Sequence, residues 1–120
     1  MNTHRIISKT IRGDNLRHKY GASKTVLRGI SFDSKLEASY YNYLQGLAAT
    51  GDIITFLRQP VFHLPGKTTY RADFQIFWAD GSVTFDDVKG FLTKEFIKNK
   101  KQVEDIYSPI EIRVIKKGDF

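Results

Sequence analysis

The stretch TFDDVKGF, residues Thr84 to Phe91, decides the fold prediction because it combines the pattern of a strand with three charged groups. Side chains alternate between the two faces of a strand, so Asp87 and Lys89 share one face with Phe85, whereas Asp86 points to the other. Charged groups rarely lie in a half-buried strand without a partner or a chemical task. The charged groups at the end of this strand are therefore predicted to have either a partner or a chemical task.

The composition predicts one domain with a real core. The chain has 120 residues, of which 41% are hydrophobic and 13% aromatic, and this is the size of a single small domain. The absence of cysteine excludes disulfides and thiolate metal sites and suits a reducing cytoplasm. No apolar run has the length of a membrane span, and the start, MNTHRIISKT, lacks the core of a signal peptide. We expect a soluble cytoplasmic protein that does not bind membranes.

The net charge of +6 is concentrated at the N-terminus. Residues 1–30 contain seven basic residues and one acidic residue, without clear periodicity, whereas residues 31–120 contain twelve of each. We predict a basic arm over residues 1–30 that contacts the phosphates of a polyanion, followed by one domain over residues 31–120. A solvated tail that keeps the protein soluble is the alternative. The arm residues proposed to contact these phosphates are Arg5, Arg12, Arg17 and Lys19.

Two segments have the apolar spacing of helices. The first runs from Ser34 to about Thr50 and is closed by Gly51, and the second runs from about Thr93 to Tyr107. The positions expected to face the core are Leu36, Tyr40, Leu44, Leu47 and Ala48 in the first helix and Phe96, Val103, Ile106 and Tyr107 in the second.

Three strands are predicted between the helices and one after them. DIITFLRQPVFHL reads as a strand bent or interrupted at Pro60, and TYRADFQIFW and SVTFDDVK follow as two further strands. IEIRVI is the last strand. The order α-β-β-β-α-β indicates an α/β domain with a central mixed sheet and flanking helices.

The turn between the second and third strands decides which carboxylates meet. A two-residue turn at 80–81 would place Asp73 and Asp87 on opposite faces. A three-residue loop at 79–81, with its glycine in the left-handed conformation, sets Asp73 directly opposite Asp87. Opposed Cβ atoms lie roughly 4.5–5.5 Å apart, close enough for two carboxylates to share a divalent cation. We predict the odd loop length and both carboxylates on one face.

Simpler interpretations stay open for each acidic residue. Asp73 and Asp87 could form ordinary ion pairs with Arg71 or Lys89, which the same register sets opposite each other. Glu37 borders the apolar stripe of the first helix and could reach the carboxylate pair. Equally, the segment SKLE, of which Glu37 is the last residue, fits a capping box.

Taken together, FDSKLE (Phe32 to Glu37), YRADF (Tyr70 to Phe74) and DVKGF (Asp87 to Phe91) resemble the PD-(D/E)XK nuclease superfamily. The series is similar to small phage-encoded endonucleases, such as the phage endonuclease I type of Holliday-junction resolvase. The resemblance spans Phe32 to about Val114 and departs from the pattern in two places. An alanine stands at position 72 where the superfamily has proline, and an aspartate at position 87 where glutamate is commoner.

The resemblance implies a restriction-endonuclease-like domain and a metal-dependent DNA endonuclease of phage recombination or DNA processing, with selectivity for branched DNA as an open option. Asp73, Asp87, Glu37 and the Val88 carbonyl would bind Mg²⁺ or Mn²⁺. Lys89 would hold or help deprotonate the attacking water. The implied setting is the cytoplasm of a phage-infected or prophage-carrying bacterial cell.

A basic stripe on the second helix is the remaining candidate surface. Lys94, Lys98 and Lys101 recur at i, i+4 and i+7, so they share one side of the helix and could contact DNA phosphates. A solvated lysine face is the alternative. The alternative for the whole chain is a non-catalytic nucleic-acid-binding module that keeps the nuclease fold. An arm of this length could also exchange between protomers, so a homodimer is compatible with the sequence.

Overall fold

A computed structural model of the chain describes residues 15–16, 25–27 and 29–120, and the arm residues proposed to bind DNA (Arg5, Arg12, Arg17 and Lys19) lie outside these ranges. The elements before and including the first helix are β1 (Asn15–Leu16), β2 (Thr25–Leu27), β3 (Ile30–Phe32) and α1 (Lys35–Thr50). Those that follow are β4 (Ile53–Arg58), β5 (Val61–Leu64), β6 (Thr68–Arg71), β7 (Phe74–Trp78), β8 (Val83–Val88), α2 (Lys94–Ile106) and β9 (Ile112–Ile115).

Both helices begin and end where their capping residues predict. Ser34 caps α1, and its Oγ accepts a hydrogen bond of 3.0 Å from the Glu37 amide. The helix ends at Gly51, which adopts the left-handed conformation (φ 82°) that glycine tolerates without steric cost. Thr93 caps α2 in the same way, with its Oγ1 accepting a bond of 3.0 Å from the Phe96 amide. The two predicted helices are confirmed.

The central sheet is mixed and has four strands in the order β4-β7-β8-β9. Strand β7 pairs antiparallel with β4 and with β8, whereas β8 pairs in parallel with β9. The parallel pair needs a crossover, and α2 supplies it. The predicted α/β architecture with a central mixed sheet is therefore confirmed.

The hairpin between β7 and β8 has the predicted odd loop. Phe74 pairs with Asp86 and Phe77 with Val83, and the Trp78 amide donates a hydrogen bond of 2.9 Å to the carbonyl of Ser82. Gly81 takes the left-handed conformation, with φ 92°. In this register the next residues along the two strands, positions 73 and 87, face each other.

The interruption predicted at Pro60 is confirmed, but the predicted count of three strands between the helices is wrong, because five strands lie there. The first break falls at Gln59, which has φ 60°, and at Pro60, which has no amide to continue a ladder. The second falls opposite it, at Ala72 and Asp73. Two backbone hydrogen bonds join the breaks, from Gln59 to Asp73 (2.9 Å) and from Ala72 to Pro60 (3.0 Å). The paired strands therefore bend together, and their far ends form the separate two-stranded sheet β5-β6.

This bend also overturns the predicted pairing of Arg71 with Lys89. Arg71 pairs with Val61 in the two-stranded sheet, and its guanidinium lies 3.9 Å from the Asp33 carboxylate. A uniform register cannot extend across a point where the strand leaves its sheet.

Two apolar clusters are buried, one against α1 and one against α2. The first cluster includes Tyr40, Leu44, Phe74, Ile76 and Trp78, and the second includes Phe62, Tyr70, Phe96, Val103 and Ile112. Alternation along β8 divides the clusters, because Val88 belongs to the first and Phe85 packs against the second.

Two details of the core differ from expectation. Ile106 was expected to be buried, but its side chain is 47% exposed because it falls at the last turn of α2, beyond the second cluster. Leu27 and Thr25, within the segment assigned to the arm, are buried on β2. Leu27 belongs to the α1 cluster, so the end of that segment contributes to the core.

Candidate functional site

Asp73 and Asp87 meet at the end of the β7-β8 hairpin. Asp73 lies one residue before β7, and its Oδ2 accepts a hydrogen bond of 2.7 Å from the Val88 amide. Its own amide donates to the carbonyl of Asp86 at 3.1 Å. These bonds fix Asp73 against β8, on the face where the register places Asp87, as predicted.

Asp87 was expected in a half-buried strand, but its side chain is almost completely buried, with only 1% of its surface exposed. The Tyr70 hydroxyl donates a hydrogen bond to its Oδ2, and Lys89 Nζ lies 3.0 Å from its Oδ1. The ion pair does not have hydrogen-bond geometry, so among the described residues Oδ1 is a buried oxygen with no hydrogen-bond donor. One oxygen of this carboxylate thus keeps unused acceptor capacity.

Lys89 is held between Asp87 and the second helix. Its Nζ lies 4.6 Å from the centre of the Phe96 ring, which attracts the ammonium through its π face. About a third of its side chain, 31%, remains exposed. The ammonium is therefore fixed in position and still reachable from solvent. The ordinary ion pair considered between Asp87 and Lys89 is present. The alternative pair with Arg71 is not formed, because Arg71 lies beside Asp33.

Glu37 approaches the pair from the start of α1 and is buried. Its Oε2 lies 3.8 Å from Arg58, and it accepts a hydrogen bond from the backbone of Asp33. Burial raises the pKa of Glu37, with a further rise from the negative charges of Asp33 and Asp87, while Arg58 opposes the rise. The Glu37 carboxyl group therefore lies between the charge of Arg58 and the negative charge of the acidic pair.

The electrostatic coupling is strongest at Asp73. Burial raises the pKa of Asp73 to about 8, with additional contributions from the charges of Asp87 and Glu37. Without a cation, Asp73 is therefore protonated more readily than an exposed aspartate. Three carboxyl groups that compete for protons in this way form a site with a strong preference for positive charge.

The donor set suits a hard divalent cation. The candidate ligands are carboxylate oxygens, and one of them, Asp87 Oδ1, is buried without a donor among the described residues. Within residues 25–27 and 29–120, no group of three or more His, Asp or Glu side chains is already arranged to hold a metal ion. Asp73 and Asp87 each keep hydrogen bonds to protein groups, from Val88 and Tyr70 respectively. Because each carboxylate oxygen has two lone pairs, these hydrogen bonds still leave acceptor capacity for a cation.

Asp86 points to the opposite face, as predicted, and forms a structural network there. Arg113 donates to both of its carboxylate oxygens at 2.8 Å, from Nε and Nη2. The Tyr40 hydroxyl donates to Oδ2 at 2.5 Å. Asp86 is completely buried, so these bonds compensate a charge in the core and hold α1 and β9 against β8.

Sequence reasoning missed three residues that build the site. Tyr70 donates to Asp87, Phe96 stacks under Lys89, and Arg58 lies beside Glu37. Burial, and then the charge of Asp87, raise the pKa of Tyr70, which keeps its hydroxyl protonated as a donor. Tyr70 opens the YRADF segment, and Phe96 was placed correctly on the buried side of α2. Neither position carried a signal of these contacts, because Tyr70 reaches Asp87 from the other sheet and Phe96 reaches Lys89 from a helix.

The lysine stripe lies on the exposed surface of α2, at Lys94, Lys98 and Lys101. The described part of the chain contains no helix of the length and apolarity needed to cross a membrane.

The fold and the site together define a mixed α/β protein with a buried acidic cluster beside a held lysine. Residues 17–119 match the sequence profile of a family described as a protein of unknown function (DUF1064), and the chain belongs to that family. The family description assigns no activity. No curated protein matched the sequence.

Proposed function

We propose that this protein is a metal-dependent DNA endonuclease with a restriction-endonuclease-like domain, acting in phage recombination or DNA processing in the cytoplasm of a phage-infected or prophage-carrying bacterial cell. The observation that carries the proposal is that Asp73, Asp87 and Lys89 converge at the end of one hairpin. An acidic pair with a neighbouring ammonium is suited to hydrolysing a phosphodiester, because the reaction needs a bound cation, an oriented water and compensation of charge on the phosphate.

Each residue has a distinct role in this proposal. Asp73 and Asp87, with Glu37 and the Val88 carbonyl, would hold Mg²⁺ or Mn²⁺. The bound cation would supply positive charge beside the scissile phosphate and lower the pKa of water. Lys89 orients the attacking water and offsets the charge that develops on the phosphate. Tyr70 fixes the rotamer of the Asp87 carboxylate through its hydrogen bond.

A non-catalytic nucleic-acid-binding module is the second candidate. The observation that favours it is that both acids already have protein partners, since Asp73 accepts a hydrogen bond from Val88 and Asp87 forms an ion pair with Lys89. The burial of three carboxyl groups argues for the enzyme, because acidic groups near phosphate weaken binding and need another reason to be present.

Incubation of the purified protein with supercoiled, linear and four-way-junction DNA tests the proposal. We expect cleavage in Mg²⁺ or Mn²⁺ and none in EDTA. A preference for the junction would support selectivity for branched DNA, and sedimentation of the same sample would establish whether a homodimer forms. If the protein binds DNA but cleaves it under none of the metal conditions, the endonuclease is refuted and the non-catalytic binding module is supported.

A further inference from the structure

The loop that joins β8 to α2 exposes two large apolar side chains. Phe91 is 76% exposed and Leu92 is 42% exposed, and Ile97 on the first turn of α2 is 44% exposed. Single exposed apolar residues are common, but three of them so close in sequence, including a phenylalanine, indicate a contact surface.

Three exposed lysines lie on the same side of α2 as Ile97. Lys94, Ile97, Lys98 and Lys101 recur at i, i+3, i+4 and i+7, so they share one side of α2. Within residues 25–27 and 29–120, none of these three lysines forms an ion pair, whereas Lys100 on the same helix pairs with Glu104 at 2.8 Å. The partner of this surface therefore combines an apolar face with negative charge.

The surface adjoins the candidate site. Phe91 follows Lys89 by two residues, so their Cα atoms are at most about 7 Å apart. Phe91 is therefore close along the chain to the ammonium that faces a phosphate in the proposed function.

We propose that Phe91 and Leu92 form a stacking surface for an unpaired base of the DNA strand, while Lys94, Lys98 and Lys101 contact the adjoining phosphates. DNA is the partner that combines flat apolar faces with regularly spaced negative charge, and an aromatic side chain stacks on any base regardless of sequence. In intact duplex the base faces are covered by their neighbours, so Phe91 selects DNA that is gapped, branched or single-stranded. This inference rests on DNA being the ligand in the proposed function, but it does not require cleavage.

The test compares a gapped duplex, which carries 2-aminopurine at an unpaired position, with the fully paired duplex in EDTA. We expect the wild-type protein to bind the gapped probe more tightly and to quench its fluorescence. Phe91→Ala should lose about tenfold in affinity for the gapped probe, the loss expected for one base–aromatic stack, with little change for the duplex. Phe91→Tyr should keep the preference.

Two further variants separate stacking from other effects. Ile54→Ala is the matched control, because Ile54 is 68% exposed on β4, away from the loop, and should bind as the wild type. Lys98→Ala should weaken both probes equally. Melting temperatures of all variants verify folding, which is expected to persist because Phe91 is exposed.

Equal losses on both probes, or none, in Phe91→Ala would overturn the inference. So would a change in sedimentation without a change in DNA binding, which would make the loop a contact between copies of the chain. The proposed function can fail separately. If the protein never cleaves DNA but prefers the gapped probe through Phe91, the nuclease activity is refuted and the stacking surface is supported. If the protein cleaves DNA without that preference, the nuclease activity is supported and the stacking surface is refuted.

Discussion

The Val88 amide donates a hydrogen bond of 2.7 Å to Asp73 Oδ2, across the end of the β7-β8 hairpin. This bond ties the acid that precedes one strand to the strand that carries Asp87 and leads to Lys89. It also makes the position of Asp73 depend on the hairpin register, because a slip of one residue would turn its side chain to the other face. The predictions below follow from the groups on the two sides of this hairpin.

Asp87→Asn and Lys89→Met should each reduce cleavage of supercoiled DNA by at least about 100-fold, the usual loss for a group that acts on the proton transfer or the phosphate charge. DNA binding should largely persist in both variants, because most of the proposed phosphate contacts are assigned to the arm and to the lysines of α2. Nicking rates and binding in EDTA provide the two measurements. Asp105→Asn and Lys116→Met are matched controls at exposed positions. Cleavage near the wild-type rate in either site variant would remove the proposed site.

The stability of the metal-free protein should fall as pH rises toward 8. Burial raises the pKa of Asp73 to about 8 from an ordinary value of 3.8, so between these values the folded state holds a proton that the unfolded state releases. The stability linked to this proton is fully present below about pH 4 and is lost as pH rises through about 8. Glu37, whose pKa is also raised, acts in the same direction.

Melting curves in EDTA from pH 5 to 9 measure this dependence. Asp73→Asn should flatten it and raise the melting temperature at pH 8 by several degrees, because the amide carries no charge and can still accept the bond from Val88. Asp105→Asn should leave the dependence unchanged. An Asp73→Asn variant with the wild-type pH dependence would show that the ionisation of Asp73 does not control stability.

Arg113→Met should destabilise the fold by about 3–5 kcal/mol, because it leaves the fully buried Asp86 carboxylate without its counter-charge. Arg71→Met is the matched control. Arg71 lies 3.9 Å from Asp33 in a pair whose side chains are more than half exposed, 55% and 61%, and such pairs contribute about 0–1 kcal/mol. Urea unfolding of the two variants provides the comparison. Equal losses would mean that the Asp86 network does not support the core.

Deleting residues 1–14 should weaken DNA binding without unfolding the domain. The deletion removes three basic residues but keeps β2, where Leu27 is buried. Each lost phosphate contact should flatten the slope of log affinity against log salt by about 0.9 on duplex DNA. Titrations at several salt concentrations measure the slope. An unchanged slope would mean that the arm makes no phosphate contacts and only keeps the protein soluble. The DNA contacts would then be made by the domain.

The sequence alone determined the two helices and the hairpin register that brings the acids together. Caps at Ser34 and Thr93 and the left-handed glycines at 51 and 81 are local signals, since they depend on the conformational preferences of a few neighbouring residues. The length of the 79–81 loop then fixed the register of the two strands on either side of it, because strand pairing begins at the turn and continues along both strands. The convergence of Asp73 and Asp87 could be predicted for that reason.

Only the tertiary structure decided how the chain folds back and which groups surround the acids. The joint bend at Pro60 and Ala72 moved Arg71 into a second sheet, and this bend depends on two strands that are distant in sequence. The same folding brought Tyr70 to Asp87 and Arg113 to Asp86. Contacts of this kind carry no periodic signal, because each is fixed by the packing of whole elements rather than by the spacing of residues along one of them.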